Sequence, residues 1–144
     1  KQLGELAATA PGSSVDLLGM YRHEDQLVPR KKVNGLDVRV RTMHASKGLE
    51  ADYVILPNLT TGTYGFPSQI EDDPVLRLVL AGDDGYPHSE ERRLFYVALT
   101  RARRSVTIFT AEGVESPFVV ELLRDPGVQL LDSSGDPTAA QICP

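Results

Sequence analysis

The sequence predicts an α/β domain in which a parallel sheet is flanked by helices. Short apolar runs rich in β-branched residues recur along the chain, helix-prone segments separate them, and glycine or proline marks the turns. With 144 residues, of which 41% are hydrophobic and 24% charged, the chain has the length of one domain and the composition of an ordinary globular protein.

The first half of the chain predicts one helix and three strands. Residues 1–10 favour a helix that a Pro-Gly pair ends, and residues 15–21 contain the first apolar run. Residues 35–42 alternate polar and β-branched side chains, as a strand does. Residues 53–57 form a short apolar run, which is typical of a strand buried inside a parallel sheet.

The second half predicts three helices and two strands. Residues 74–80 suit a helix with proline in its first turn. A second helix is expected to begin near Ser89, whose hydroxyl can cap it. The strand at residues 105–110, the helix at residues 117–123 and the short strand at residues 128–131 complete the predicted order.

One domain and a tail are expected from this pattern. Residues 1–132 are assigned to the domain, and residues 133–144, which are polar and rich in small side chains, are expected to be disordered. The chain begins with Lys1 instead of methionine, so we expect a piece of a longer protein. The single cysteine, Cys143, excludes an internal disulfide framework and fits a reducing cytoplasm. Cys143-Pro144 is also how a Cys-Pro-x-Cys zinc-binding segment begins.

The segment at residues 90–103, E-E-R-R-L-F-Y-V-A-L-T-R-A-R, is the most informative in the chain. It favours a helix whose apolar stripe, including Leu94 and Ala98, packs against the core, with Tyr96 also expected there. Arg101 then stands at the end of a packed helix, where a planar guanidinium is suited to bind phosphate oxygens in pairs. The alternative is a solvated helix face with a few weak ion pairs.

A second segment, at residues 42–56, reads T-M-H-A-S-K-G-L-E-A-D-Y-V-I-L. It predicts a polar loop between the end of one strand and the start of the next. Loops at the carboxyl ends of parallel strands are where open α/β sheets bind ligands. The chain contains no Gly-x-x-x-x-Gly-Lys-Ser/Thr phosphate loop, so this loop is not a Walker A motif.

These two segments, in this order, resemble motifs V and VI of the UvrD/Rep family of superfamily 1 DNA helicases. Residues 62–68, G-T-Y-G-F-P-S, resemble the Gly-x-Phe-Pro turn that follows motif V in that family. The H-A-S-K-G and A-D-Y-V-I variants look closest to its helicase IV-like branch. The resemblance implies a RecA-like sheet of the P-loop NTPase type, namely the second, C-terminal motor lobe, which lacks Walker A.

The resemblance also implies roles at the nucleotide. Arg101 resembles the arginine finger, which stabilises the charge of phosphoryl transfer. Glu50 resembles the glutamate that meets the nucleotide sugar, and an exposed surface glutamate is its alternative. Lys47 and Gly48 resemble the pair that approaches the γ-phosphate side of the cleft. Arg22 could correspond to the motif IV arginine, although the local Gly-Met-Tyr-Arg-His pattern departs from the family form.

Thr42 and His44 resemble motif V residues that touch single-stranded DNA. A net charge of −5 is unusual for a nucleic-acid binder, but the positive charges cluster near the two motifs. The isolated lobe is therefore expected to bind DNA weakly. Three histidines and one cysteine scattered along the chain do not suggest a ligand set, so no metal site is predicted.

The implied function is that of a motor lobe in an ATP-dependent DNA helicase or translocase, moving 3′ to 5′ as its relatives do. ATP with Mg²⁺ is expected to be shared with a missing N-terminal RecA-like lobe of the same protein, so the isolated chain is expected to be inactive. A cytoplasmic protein without a membrane span is expected. The alternative is a helicase-like ATPase that remodels a protein partner such as RNA polymerase.

Overall fold

The structure, a computed structural model, describes residues 2–20, 33, 35–63, 65–68, 88–131 and 139–142. The strands are β1 (Ser14–Gly19), β2 (Asp37–Thr42), β3 (Ala51–Leu56), β4 (Ala102–Phe109), β5 (Val128–Leu131) and β6 (Ala139–Ile142). The helices are α1 (Gln2–Thr9), α2 (Ser89–Leu99) and α3 (Pro117–Leu122), and a 3-10 turn spans His44–Ser46. The six strands form one sheet in the order β2-β1-β3-β4-β6-β5.

Strands β1 to β4 are parallel, which confirms the predicted α/β fold class. Their first residues lie along one side of the sheet, the amino edge: Ser14, Asp37, Ala51 and Ala102. Their last residues lie along the opposite side, the carboxyl edge: Gly19, Thr42, Leu56 and Phe109. The register Ser14↔Asp37 and Ala51↔Ala102 aligns the amino ends of neighbouring strands.

The sheet has an apolar core on each face, because successive side chains of a strand point to opposite sides. On one face, Leu3 and Leu6 of α1 pack against Val15, Leu17 and Ile55. The other face carries the larger core, which joins α2 and α3 to the central strands and includes Leu18, Val54, Leu56, Phe95, Val106, Ile108 and Phe118. Helix α2 is thus fixed to the sheet by buried contacts.

Three aromatic rings attach α2 to its surroundings. Phe95 of α2 lies 5.7 Å from Phe118 of α3 and 5.9 Å from Phe66 in the Gly-Phe-Pro turn, measured between ring centroids. The Arg92 guanidinium lies 4.9 Å from the Phe118 ring centroid and donates to both carboxylate oxygens of Glu121. These contacts hold the start of α2 against α3, upstream of Arg101.

Part of the predicted tail is ordered. Ala139–Ile142 form β6, which pairs antiparallel with β4 and with β5, so the prediction of disorder is wrong for these four residues. The reason is backbone pairing: β6 supplies the hydrogen-bonding partner of both neighbouring strands, a contribution that polar or small side chains do not prevent. The sheet is consequently mixed, not wholly parallel.

Two predictions about α2 are wrong, and others lie outside the described residues. Ser89 is the first helical residue; the cap is His88, in the left-handed region at φ 57°, without a side-chain capping bond. Tyr96 is 68% exposed instead of buried. The predicted helix at residues 74–80 and Cys143 fall outside the described part of the chain. None of the helices in the described ranges is long and apolar enough to cross a membrane.

Candidate functional site

The segment between β2 and β3, residues 43–50, crosses the sheet from its carboxyl edge to its amino edge. It leaves β2 at Thr42, and the Met43 amide donates to the Gly19 carbonyl at 2.9 Å. It enters β3 where the Ala51 amide donates to the Arg101 carbonyl at 3.0 Å. This crossover segment therefore ends beside Arg101, although it begins at the opposite side of the sheet.

Buried contacts fix the path of the crossover segment. Met43 and Ser46 are fully buried, and the Ser46 hydroxyl donates to the Met43 carbonyl at 2.6 Å. The 3-10 turn packs against α2, and the Leu49 amide donates to the Ser46 carbonyl at 3.0 Å. Gly48 has φ +78°, a left-handed conformation that only glycine adopts without strain. The glycine lets the segment turn towards the amino edge.

This path corrects the expectation that the whole motif V loop lies at the carboxyl ends of the strands. Glu50 and Arg101 immediately precede β3 and β4, so both lie at the amino edge. Only Thr42 and His44 lie near the carboxyl edge. The sequence expectation failed because it treated residues 42–50 as a local loop, whereas the chain must return along the sheet before a parallel strand can begin.

Arg101 is held by three hydrogen bonds to its own domain. Its Nε donates to the Val97 carbonyl at 3.0 Å, its Nη2 to the Thr100 hydroxyl at 3.1 Å, and its Nη1 to the Leu49 carbonyl at 3.4 Å. The first acceptor lies in the last turn of α2, the second belongs to the residue that caps α2, and the third belongs to the crossover segment. The guanidinium therefore joins motif V to motif VI.

These bonds leave the guanidinium capable of binding an anion. An arginine carries five N–H donors, one on Nε and two on each Nη. Within the described part of the chain, each of the three nitrogens donates once, so each Nη keeps one N–H. Arg101 is only partly buried. Two remaining donors on one planar fork match the oxygens of a phosphate.

Glu50 lies beside Arg101 but pairs with Arg103. The Arg103 Nε is 2.9 Å from Glu50 Oε2, and both side chains are more than half exposed. An exposed pair of this kind contributes little to stability, because water screens it. The pair keeps the Glu50 carboxylate at the amino edge, where its second oxygen can accept hydrogen bonds from hydroxyl groups. Sequence reasoning did not assign this function to Arg103.

Asp52 anchors the same edge to β1. Its Oδ2 accepts hydrogen bonds from the Ser14 amide and the Ser14 hydroxyl, both at 2.9 Å. These two bonds hold the pKa of the Asp52 carboxyl below its ordinary value, and Arg104 and Arg103 lower it further by charge. The Asp52 amide donates back to the Ser14 hydroxyl at 2.9 Å. The contacts fix the start of β3, directly after Glu50.

The carboxyl edge presents different surroundings to the predicted DNA contacts. The Thr42 hydroxyl oxygen accepts a hydrogen bond from the Ala45 amide at 3.2 Å. The O–H group of Thr42 therefore stays available as a donor. His44 is exposed, and so is Lys47 further along the crossover segment. Among the described residues, neither side chain has a hydrogen-bonding or ionic partner. Arg22, the possible motif IV arginine, lies outside the described residues.

Sequence reasoning missed a buried charge between the two edges. Asp16, in the middle of β1, is 1% exposed; Arg39 Nε lies 3.1 Å from one of its oxygens and Arg41 Nε 3.7 Å from the other. Burial raises the pKa of the Asp16 carboxyl despite the attraction of the two arginines. The available signal was a carboxylate within an apolar run, whereas its pairing with Arg39 follows only from the register of the sheet.

The described residues contain no cluster of three His, Cys, Asp or Glu side chains that could hold a metal ion. The amino edge offers the remaining N–H donors of Arg101 and a carboxylate oxygen of Glu50, groups whose chemistry suits phosphate oxygens and sugar hydroxyls respectively. A carboxylate set for Mg²⁺ is not present among them.

Comparisons with known proteins identify the family of the chain. The family described as "UvrD-like helicase C-terminal domain" matches residues 19–113. DNA helicase IV of Escherichia coli (strain K12) is 43% identical over 118 residues, which cover 80% of this chain and 17% of that protein. DNA helicase II of Rickettsia typhi is 37% identical over 79 residues, which cover 55% of this chain and 10% of that protein.

The chain thus spans less than a fifth of the length of either relative. A solved methyltransferase structure, magnesium protoporphyrin IX methyltransferase from Synechocystis PCC 6803, covers 99% of this chain and 76% of its own at a TM-score of 0.49 and 13% identity. A likeness this weak carries no argument about fold or function.

Proposed function

Because the chain belongs to the UvrD-like helicase C-terminal domain family, we propose that it is the C-terminal motor lobe of an ATP-dependent DNA helicase or translocase. In this proposal the amino edge completes a nucleotide site and the carboxyl edge forms part of a track for single-stranded DNA. The similarity to DNA helicase IV supports a place in that branch of the family. Movement from 3′ to 5′ is proposed from the resemblance to the UvrD/Rep family alone.

The observation that carries the proposal is the geometry of Arg101. Its guanidinium is fixed at the end of α2 by hydrogen bonds to Val97, Thr100 and Leu49. Its remaining N–H groups can donate hydrogen bonds to phosphate oxygens. An arginine that only lay on the solvated face of a helix would not need three hydrogen-bond acceptors within the protein. Preorganisation matters because a donor that is already in place does not have to reorganise as charge develops.

In the proposed reaction, Arg101 acts as the arginine finger. Phosphoryl transfer spreads negative charge over the γ-phosphate oxygens, and a guanidinium supplied from a second lobe stabilises that charge. Glu50 accepts hydrogen bonds from the nucleotide sugar, and Lys47 with Gly48 approaches the phosphates from the crossover segment. The stabilisation is larger in the transition state than in the ground state, so it accelerates turnover more than it tightens binding.

The DNA contacts are assigned to the carboxyl edge. The Thr42 hydroxyl can donate to a phosphate, and the exposed His44 ring can donate to a phosphate or stack on a base. The crossover segment physically connects these side chains to Leu49, whose carbonyl binds Arg101. Opening and closing of a cleft between two lobes would then move the DNA.

We further propose that the chain is inactive alone, since it carries no Walker A loop. An N-terminal RecA-like lobe of the same protein supplies the Mg²⁺ ligands and most contacts to ATP. Mg·ATP turnover by the isolated chain would contradict this point.

The alternative function is a motor that remodels a protein partner such as RNA polymerase. Exposed Tyr96, on α2 close to Arg101, is a feature that a protein partner can use. Displacement of a strand from partial-duplex DNA by the full-length protein favours the helicase. ATP hydrolysis without unwinding or DNA stimulation favours the remodelling motor.

The decisive experiment is Arg101→Ala in the full-length protein. Turnover should fall by about 10³- to 10⁵-fold, the usual contribution of an arginine finger, while nucleotide affinity stays nearly unchanged. Arg101→Lys should not restore turnover, because lysine lacks the planar fork. Arg93→Ala, on the exposed side of the same helix, is the matched control and should have a small effect. Unchanged turnover in Arg101→Ala would reject the proposal.

A further inference from the structure

We propose that Thr100 is a positioning residue for the arginine finger, an inference that rests on the proposed function of Arg101. Thr100 follows α2 as its C-terminal cap, and its amide donates to the Tyr96 carbonyl at 3.0 Å. The Thr100 hydroxyl, not its backbone, makes the contact with Arg101.

The Thr100 hydroxyl stands between two groups that fix its orientation. It donates its one proton to the Val97 carbonyl at 3.0 Å, so a lone pair faces Arg101 Nη2 at 3.1 Å. The same Val97 carbonyl accepts from Arg101 Nε at 3.0 Å. The Val97 carbonyl, the Thr100 hydroxyl and the Arg101 guanidinium therefore form a closed hydrogen-bonded triangle at the end of the helix.

The triangle determines the plane of the guanidinium. The bond that Nε donates to Val97 fixes one point of the fork, and the bond that Nη1 donates to the Leu49 carbonyl is long at 3.4 Å. The second short bond, to Thr100, fixes the rotation of the fork about the Nε contact. The N–H groups left on Nη1 and Nη2 then point in a defined direction, which is what paired contacts with phosphate oxygens require.

The side chain of Thr100 is exposed, so a purely structural reason for a hydroxyl is weak. Water could satisfy both the Val97 carbonyl and the Arg101 guanidinium at this position, since neither depends on threonine for solvation. What water does not provide is a fixed acceptor that holds Nη2. The expected consequence of losing the hydroxyl is a finger that is present but less well oriented.

The test is Thr100→Val, which keeps the shape of the side chain and removes the hydroxyl, in the full-length protein. The kcat for DNA-stimulated ATP hydrolysis should fall by about tenfold to a hundredfold, the range for losing a hydrogen bond to a charged group. The KM for ATP should change by less than about threefold, because the finger acts mainly in the transition state. Thr100→Ser should recover most of the lost rate.

A double variant separates positioning from general damage. If Thr100 acts through Arg101, Thr100→Val should slow the Arg101→Ala protein no further, so the two effects are not additive. A further loss of the same size in the double variant, or normal kcat in Thr100→Val alone, would overturn the inference. Failure of the proposed function looks different: in that case Arg101→Ala itself leaves turnover unchanged.

Discussion

The two edges of the sheet differ in how their functional side chains are held. At the amino edge, Arg101, Glu50 and Asp52 each have short contacts with neighbouring groups. At the carboxyl edge, His44 is exposed and has no hydrogen-bonding or ionic partner within the described residues. Groups that stabilise a developing charge gain from being fixed beforehand, whereas groups that track a moving strand gain from adapting to it.

The contrast teaches that one continuous motif can reach both edges of a sheet. Residues 42–50 are continuous in sequence, yet the buried Met43 and Ser46 carry the chain across the sheet between the two edges. The contact of the 3-10 turn with α2 and the bond from Arg101 to the Leu49 carbonyl link the crossover segment to motif VI. The effects of a substitution at one edge should therefore be distinguishable from the effects of a substitution in the structure that joins the two edges.

The largest expected effect comes from breaking the support common to both edges. Arg39→Gln leaves the buried Asp16 carboxylate with Arg41 as its remaining partner and should lower the free energy of unfolding by about 3 kcal/mol, the lower end for a broken buried ion pair, since the Arg39 side chain is 35% exposed. Urea unfolding of the chain measures it. Asp37→Asn, whose carboxylate is also near Arg39 but 67% exposed, is the control and should change stability by less than about 0.5 kcal/mol.

The next effect should be confined to the carboxyl edge. His44→Ala removes a side chain that can bind phosphate or stack on a base, a contribution of about 1–3 kcal/mol. The DNA concentration that half-stimulates ATP hydrolysis should therefore rise roughly 5- to 150-fold. The rate measured without DNA should change far less. An equal loss in both rates would show that the two edges are not functionally distinct.

At the amino edge, Glu50→Ala should raise the KM for ATP by about tenfold, because a hydrogen bond to a charged group contributes roughly 1.5 kcal/mol or more. Arg103→Ala is the matched variant, since it removes the same ion pair and keeps the carboxylate. Its KM should stay within about threefold of the parent value, and neither variant should shift the thermal midpoint appreciably. If Arg103→Ala equals Glu50→Ala, the ion pair itself is what matters.

The smallest effect concerns acid stability at the amino edge. The pKa of Asp52 is lowered in the folded chain, so its stabilisation is present above the ordinary value of 3.8 and is lost as the pH falls through the folded value. Ser14→Ala removes the hydroxyl but keeps the amide bond, so the Asp52 pKa should rise and remain below its ordinary value. Above pH 3.8, Ser14→Ala should therefore lower the free energy of unfolding by about 1 kcal/mol.

The pKa of Asp16 is shifted in the opposite direction, so its ionisation has the opposite effect on stability in the same experiment. Because its pKa is raised in the folded chain, its ionisation opposes folding as the pH rises above 3.8 through the folded value. Carboxylate titration by NMR distinguishes the two aspartates. If the two pKa values were shifted in the same direction, burial could not be the main cause at Asp16 while hydrogen bonding is the main cause at Asp52.

Much of the fold followed from local pattern. The apolar runs at residues 15–21 and 53–57 coincide with β1 and β3 to within a few residues, because strands buried in a parallel sheet need apolar side chains on both faces. The family was predicted from motifs V and VI, and the match over residues 19–113 confirms it. The roles of Arg101, Glu50, Lys47, Gly48, Thr42 and His44 remain predictions.

The errors came from contacts between distant residues. β6 exists because β4 and β5 present backbone partners to it, and no local pattern in residues 139–142 indicates that pairing. Asp16 was overlooked because its partners lie on another strand, at a register that only the sheet defines. Tyr96 was assigned to the core from its apolar ring, but its position on α2 faces away from the sheet.

The sequence by itself determined the class of fold, the family and the residue types that can do the chemistry, because hydrophobic periodicity and short motifs are properties of neighbouring residues. Only the tertiary structure decided that residues 42–50 divide between two edges and that Arg101 is held by Val97, Thr100 and Leu49. The physical reason is that strand direction and helix packing bring together groups from distant parts of the chain, and no local pattern records which of them meet.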